Sequence, residues 1–298
     1  MQVNNTFNKL RFVEFGSTFN KVFCTLLSAS ALTLALPLAA HAEGCTSTIA
    51  ASHLVTPGEL QMSINPTLPP QQFVNANGEL EGLNVDLGKD IAALLCLKPV
   101  FVRMDMPSMT PALRSGRFDT INTGMFYTDE RSKLFYMVPY GQQAISIYTL
   151  PTSKLVIHSI DDLAGHTVGV ETATYQEKKA RAMNDDMVKR GLKPINFLTF
   201  ETASETLAAM RAGQLEAGIN IDETARDLAD RKLAKVWVSG MAGTDITLDF
   251  RDKTVADAAV KALNTLKANG TYDKLFAKYK MTPLKDVTTF SIRGTGPV

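Results

Sequence analysis

Residues 166–177 read His-Thr-Val-Gly-Val-Glu-Thr-Ala-Thr-Tyr-Gln-Glu. The first five, His166-Thr-Val-Gly-Val170, have the composition of a short buried strand. Thr174-Tyr-Gln-Glu177 has the spacing of a capping box, in which a threonine hydroxyl and a glutamate carboxylate each satisfy an amide that the first turn of a helix leaves over. A strand running into a capped helix is one α/β unit. The same pattern recurs outward along the chain. Thr202-Ala-Ser-Glu205 opens a helix through Leu207 and Met210 that Gly213 ends, and Leu215, Ala217 and Ile219 form the next strand. Toward the N-terminus, Leu60, Met62 and Ile64 alternate as in a strand. Leu87, Ile91, Leu94 and Leu95 recur at helical spacing behind Asp86. Residues 99–103 predict a second strand, 108–114 a short helix stopped by Gly116, 118–121 a third strand and 144–148 a later one. Toward the C-terminus, Ala259, Val260, Leu263 and Leu266 line a helix closed by Asn269-Gly270, and Tyr272, Leu275, Phe276 and Tyr279 line a final one. The tail after Pro283 reads as a surface extension. Strands alternating with helices predict mainly parallel sheets flanked by helices, with ligand sites at the strands' C-terminal ends.

The chain has 298 residues, 45% hydrophobic and 20% charged, which excludes long disorder, collagen-like repeats and a disulfide-dense miniprotein. Its net charge is +1, and loss of residues 1–42, which carry three basic groups (Lys9, Arg11, Lys21) and one acid (Glu14), turns that into −1. Such a balance lacks the basic excess of a nucleic-acid binder. Those residues have the layout of a secretory leader: scattered positive charge, an apolar run over 22–38 interrupted by Ser, Thr and Pro37, then Ala40-His41-Ala42. Cleavage is expected after Ala42, leaving a soluble protein outside the cytoplasm. Neither Cys24 nor Cys45 follows the small residues that a lipid anchor requires. Cys45 and Cys96 remain. In an oxidising compartment they either pair or stay as buried free thiols. No metal-ligand spacing surrounds them, His53, His158 and His166 are isolated, and no metal or cofactor is expected.

Arg131 stands in the first turn of a helix whose expected N-cap is Thr128, where a cation opposes the helix dipole. Either it pairs with Asp129 and Glu130 at the surface, or it aims a planar guanidinium at a carboxylate. The amides of Tyr175 and Gln176, which the capping box leaves over, either face solvent on a simple capped helix or form an anion site.

Several blocks, in order, resemble the bacterial extracellular solute-binding proteins of the amino-acid class (family 3) that feed ABC importers. They are Asn77-Gly78-Glu-Leu-Glu-Gly82 running into Val85-Asp86-Leu87; Pro111-Ala-Leu-Arg-Ser-Gly116-Arg-Phe-Asp119; Gly124-Met-Phe-Tyr-Thr128-Asp-Glu-Arg131; Asp162-Leu-Ala-Gly-His-Thr-Val-Gly-Val170; Gly213-Gln-Leu-Glu-Ala217; and Ala268-Asn-Gly270-Thr-Tyr-Asp-Lys-Leu275. The resemblance spans about residues 57–281. It implies a two-lobed periplasmic-binding-protein fold with two hinge crossings, near 141–144 and 239–244. One lobe would hold 43–141 and 244–298, the other 145–239. It further implies a periplasmic monomer that binds a small molecule, expected to be an amino acid, by hinge closure and then docks on an inner-membrane ABC permease, with no catalytic residues.

By the same resemblance Arg131 holds the ligand's α-carboxylate, Thr174 and Tyr175 close onto it from the other lobe, and Gly124 and Phe126 belong to the binding segment. An ungapped count puts Ile221 at the family's ammonium-binding aspartate, with Asp222 one step late. Asp222 therefore either binds the ammonium or caps the helix through Leu228. The Asn65-Pro-Thr-Leu68 segment offers Leu68 where relatives carry an aromatic ring, Met106 replaces a common Trp or Phe, and Phe126 replaces a common Ser. These changes either reflect drift or favour an apolar or sulfur-containing ligand. The alternatives are an enzyme of the cyclic-acid dehydratase type, for which Glu171 is the best carboxylate, and a soluble partner of a sensor.

Overall fold

The computed structural model describes residues 45–297; the expected leader, residues 1–42, lies outside them. The first strand is β1 (Glu59–Ile64), whose Leu60, Met62 and Ile64 are all fully buried. A small antiparallel sheet follows, made of β2 (Thr67–Leu68), β3 (Gln72–Val74) and β4 (Leu80–Glu81). Next come α1 (Leu83–Leu94), β5 (Lys98–Arg103), α2 (Met106–Arg114) and β6 (Thr120–Phe126). The Asp105 side chain caps α2 by accepting from the Ser108 amide at 3.0 Å. Next is β7 (Tyr136–Thr149), then β8 (Thr167–Glu171), α3 (Tyr175–Lys189), β9 (Asn196–Phe200), α4 (Ala203–Arg211), β10 (Ala217–Ile221) and α5 (Asp222–Asp230). A long β11 (Lys235–Phe250) precedes α6 (Lys253–Ala268), α7 (Thr271–Tyr279) and β12 (Thr282–Pro283).

The main sheet runs β5-β1-β6-β11-β7-β10-β8-β9, with β12 on β7. It has two parallel groups, β5-β1-β6 and β10-β8-β9, and between them β7 and β11 lie antiparallel to each other and to their neighbours. Each group alternates with helices, as the sequence pattern predicts, and the two long strands join them. The β7–β11 register shifts repeatedly between Val236 and Thr244, where Gly240 and Ala242 have positive φ. Bulges of this kind bend a strand without ending it.

The structure departs from the sequence reading in several places. Strand β6 does not occupy 118–121; it starts at Thr120 and continues to Phe126, so it carries Gly124. The tail after Pro283 is not a loose extension. Phe290 is buried against Tyr272, the Arg293 amide donates to the Met137 carbonyl at 2.8 Å, and the Arg293 guanidinium pairs with Asp245 at 2.5 Å. Cys45 and Cys96 are bridged, tying the segment ahead of β1 to the end of α1. No helix among the described residues is long and apolar enough to cross a membrane.

Close packing around β10 gives one stability prediction. A Cβ on Gly218 would lie 2.5 Å from the ring of fully buried Tyr148. Overpacking a closed core costs about 1–3 kcal/mol, so Gly218→Ala is expected to lower the melting temperature by several degrees in a thermal scan. An unchanged transition would mean that the ring can move aside.

Candidate ligand-binding site

The site lies where the two halves of the sheet meet. A short 3-10 turn, Arg131–Lys133, follows β6 instead of the expected helix. Thr128 still acts as a cap, since its Oγ1 accepts from the Arg131 amide at 3.1 Å. The Arg131 Nη1 donates to the Phe126 carbonyl at 2.9 Å. No described carboxylate lies within ion-pair distance of this guanidinium: Glu130 instead pairs with Lys178 at 2.8 Å, and Asp129 accepts from Tyr127. Burial pushes the guanidinium's pKa down, and the charge of Asp249 opposes that. A guanidinium keeps its proton inside proteins. It is thus a partly desolvated cation holding a carbonyl and no anion.

The opposite wall is the β8–α3 junction. Thr174 caps α3, accepting from the Glu177 amide at 3.2 Å and donating to the Glu171 carbonyl at 2.6 Å. The reciprocal half of the predicted box is shifted by one residue. Glu177 accepts from the Ala173 amide at 2.8 Å, because Ala173 takes a left-handed turn ahead of the cap. The amides of Tyr175 and Gln176 have no partner among the described residues, as expected at the first turn of a helix. Tyr175 and Phe126 stack across the gap with ring centroids 4.4 Å apart and planes inclined by 10°. The Tyr175 hydroxyl reaches the Ala242 carbonyl on β11 at 2.9 Å.

The space enclosed is about 20 Å³, close to one water molecule. Leu68, Met106, Gly124, Phe126, Arg131, Thr174 and Tyr175 all line it, so the structure gathers seven residues that the sequence reading drew from four separate segments. Gln71, Gln143, Gln176, Glu171 and Ile221 line it too. Gly124 is required there: it has a φ of +71°, and a Cβ would fall 1.7 Å from the Gln71 amide nitrogen.

Two expected site residues are elsewhere. Asn65 is buried behind the lining, where its Nδ2 donates to Glu171 Oε1 at 2.6 Å and its Oδ1 accepts from Thr67. Asp222, the first residue of α5, does not cap that helix and does not line the cavity. Instead it accepts from the Ser146 hydroxyl at 2.6 Å and the Gly240 amide at 3.0 Å, joining β7 to β11. Ile221 takes the place facing the cavity, as the ungapped count implies.

Glu171 is the cavity's unusual group. It is 3% exposed at the end of β8. Burial pushes its pKa up to about 8, although the Asn65 bond opposes the rise. Its second oxygen, Oε2, is buried without a hydrogen-bond partner. Among the described residues no cluster of His, Cys, Asp or Glu is placed to hold a metal ion.

Two α/β halves joined by paired long strands, with a half-buried cation and free helix amides at the junction, define a two-lobed ligand-binding protein. The chain belongs to the bacterial extracellular solute-binding proteins, family 3, whose sequence pattern matches residues 60–282. It is 24% identical over 266 residues to the histidine-binding periplasmic protein of Salmonella typhimurium, covering 84% of this chain and 95% of that one. Among solved structures it resembles an ancestral arginine-binding protein bound to arginine (TM-score 0.69, 28% identity, 74% of this chain and 98% of the other). It also resembles an ancestral amino acid-binding protein that is a precursor of cyclohexadienyl dehydratase (TM-score 0.66, 26% identity, 74% and 95%).

Proposed function

We propose that this chain is the periplasmic substrate-binding component of an ABC importer, and that it closes on an amino acid or a similar small carboxylate. The observation that carries the reading is Arg131: a partly desolvated guanidinium with no anion of its own, lining the same cavity as Tyr175 and Gln176, whose amides are unpaired. A carboxylate gripped by both would favour the closed state, because that contact cannot form with the lobes apart. Thr174, Tyr175, Gly124, Phe126, Leu68 and Met106 form the rest of the proposed contact surface. Residues 43–141 and 244–298 form one proposed lobe and 145–239 the other, with bending at the bulged stretch of β11 and the facing part of β7. The names of the relatives support the ligand class, histidine in one and arginine in the other, and that of the histidine-binding periplasmic protein supports the compartment. Calorimetric titration of the mature protein with the twenty L-amino acids tests the reading. It expects micromolar or tighter binding of at least one, about −8 kcal/mol or better. Absence of binding across the amino acids and simple carboxylates would refute it.

A second reading rests on Glu171. A cleft carboxyl that stays protonated at neutral pH is suited to general-acid work. Product analysis after incubation with prephenate-like acids tests for dehydratase activity, and the binding reading expects unchanged substrate.

A further inference from the structure

We propose that Glu171, and not Asp222, receives the ammonium group of a zwitterionic ligand whose carboxylate lies on Arg131, and that loading the cleft expels a proton from the protein. This rests on the reading proposed above and adds to it the second pole of the ligand.

The geometry of the β8–α3 junction carries the argument. The Glu171 carbonyl is held by Thr174, the residue that caps α3, so the acid and the free helix amides are fixed in one rigid turn. Its side chain lines the same cavity as Arg131. One carboxyl oxygen accepts from Asn65, reaching across from the end of β1, and the other is buried with no hydrogen-bond partner. A buried polar atom without a partner is costly, and an ammonium is a donor of the right kind. The competing acid is already used: both oxygens of Asp222 are taken, by Ser146 and by the Gly240 amide. At the C-terminal end of β10 the cavity meets the apolar Ile221.

The groups around Glu171 determine the proton count. Asp105, capping α2, and Glu205, on α4, both favour its neutral form. Arg131 and Tyr175 share the cavity with it, and Tyr148 faces it from β7. Asn65 and Ile221 are neutral. Asp249, on β11, faces Arg131 instead. Burial is the largest cause of the raised pKa, about 8, so the free protein holds the proton at neutral pH. An arriving ammonium favours the carboxylate, and the displaced proton goes to solvent, so charge balances. Binding then tightens with rising pH by up to about tenfold per unit and levels off above about 8.

The test is calorimetric titration with the tightest-binding L-amino acid and with the acid lacking its amino group (3-phenylpropanoate in place of phenylalanine, for example). Runs in phosphate and Tris at pH 6, 7 and 8 give the proton count from the buffer dependence of the heat. The wild type is expected to prefer the amino acid by at least tenfold and to release close to one proton at pH 6 and 7. In Glu171→Gln, which keeps an acceptor for Asn65, release and pH dependence vanish and the preference collapses. Equal or tighter binding of the deaminated acid, or wild-type binding without proton release, overturns the proposal. In that case Arg131→Ala still loses affinity, so the underlying reading stands. Retained affinity in Arg131→Ala removes both.

Discussion

Arg131→Ala weakens ligand binding by about 2–5 kcal/mol, roughly thirtyfold or more. The size follows from what the side chain lacks. Its one hydrogen-bond acceptor among the described residues is the Phe126 carbonyl, and no described carboxylate neutralises it. An incoming anion therefore displaces no existing ion pair, and it gains a charge-assisted contact in a site that excludes water. The same isolation predicts a small effect on folding. Losing Arg131 removes one bond to a carbonyl and some support for the ionised form of buried Asp249, whose pKa is already pushed up to about 7 by burial. Asp249 keeps its bond from Thr247 at 2.7 Å. The variant should melt within a few degrees of wild type, as read by circular dichroism, while its calorimetric affinity collapses. Affinity within threefold of wild type would place the ligand's carboxylate elsewhere.

The second large effect concerns stability. Breaking the Cys45–Cys96 bridge, by reduction or by Cys96→Ser, frees a loop of 51 residues in the unfolded chain. The chain-entropy argument gives about 4 kcal/mol for a loop of that size. For a domain of this length each kcal/mol shifts the midpoint by about 2–4 °C, so a fall of roughly 8–16 °C is expected on calorimetry in reductant. The bridge lies at the far end of α1 from the cleft, so affinity at 20 °C should not change. A melting point insensitive to reductant would show that the segment ahead of β1 is held by other contacts, such as buried Ile49 and Leu54.

The alternation of strands and helices was readable because amphipathic period and capping chemistry are local. Thr202 and Glu205 form the complete reciprocal box, and Asn269-Gly270 ends α6 as its sequence requires. What could not be read depends on distant partners. Strand β11 is interrupted by Gly240 and Gly243 and has no clean alternation, and only pairing with β7 makes it a strand. The tail looked loose because its anchors, Met137 and Asp245, lie more than a hundred residues or some fifty residues away in sequence. Arg131, Thr174 and Tyr175, which line one cavity, could be singled out because a cation beside a turn and a capped helix after a strand are recognisable chemistry. That Asp222 leaves α5 uncapped was not readable, because its partners come from two other strands and no property of its own segment points to them. Glu171 gave a faint local sign, an acid at the end of an apolar strand, but its burial and its unpaired oxygen depend on Asn65, more than a hundred residues away in sequence.

A crystal structure of the mature protein with its tightest-binding amino acid examines the central claim most directly. The ligand carboxylate should sit between the Arg131 guanidinium and the Tyr175 and Gln176 amides, at about 2.7–3.1 Å from each wall, with Phe126 and Tyr175 parted to admit it. A ligand bound outside this cleft, or bound within it with its carboxylate away from Arg131, would contradict the account.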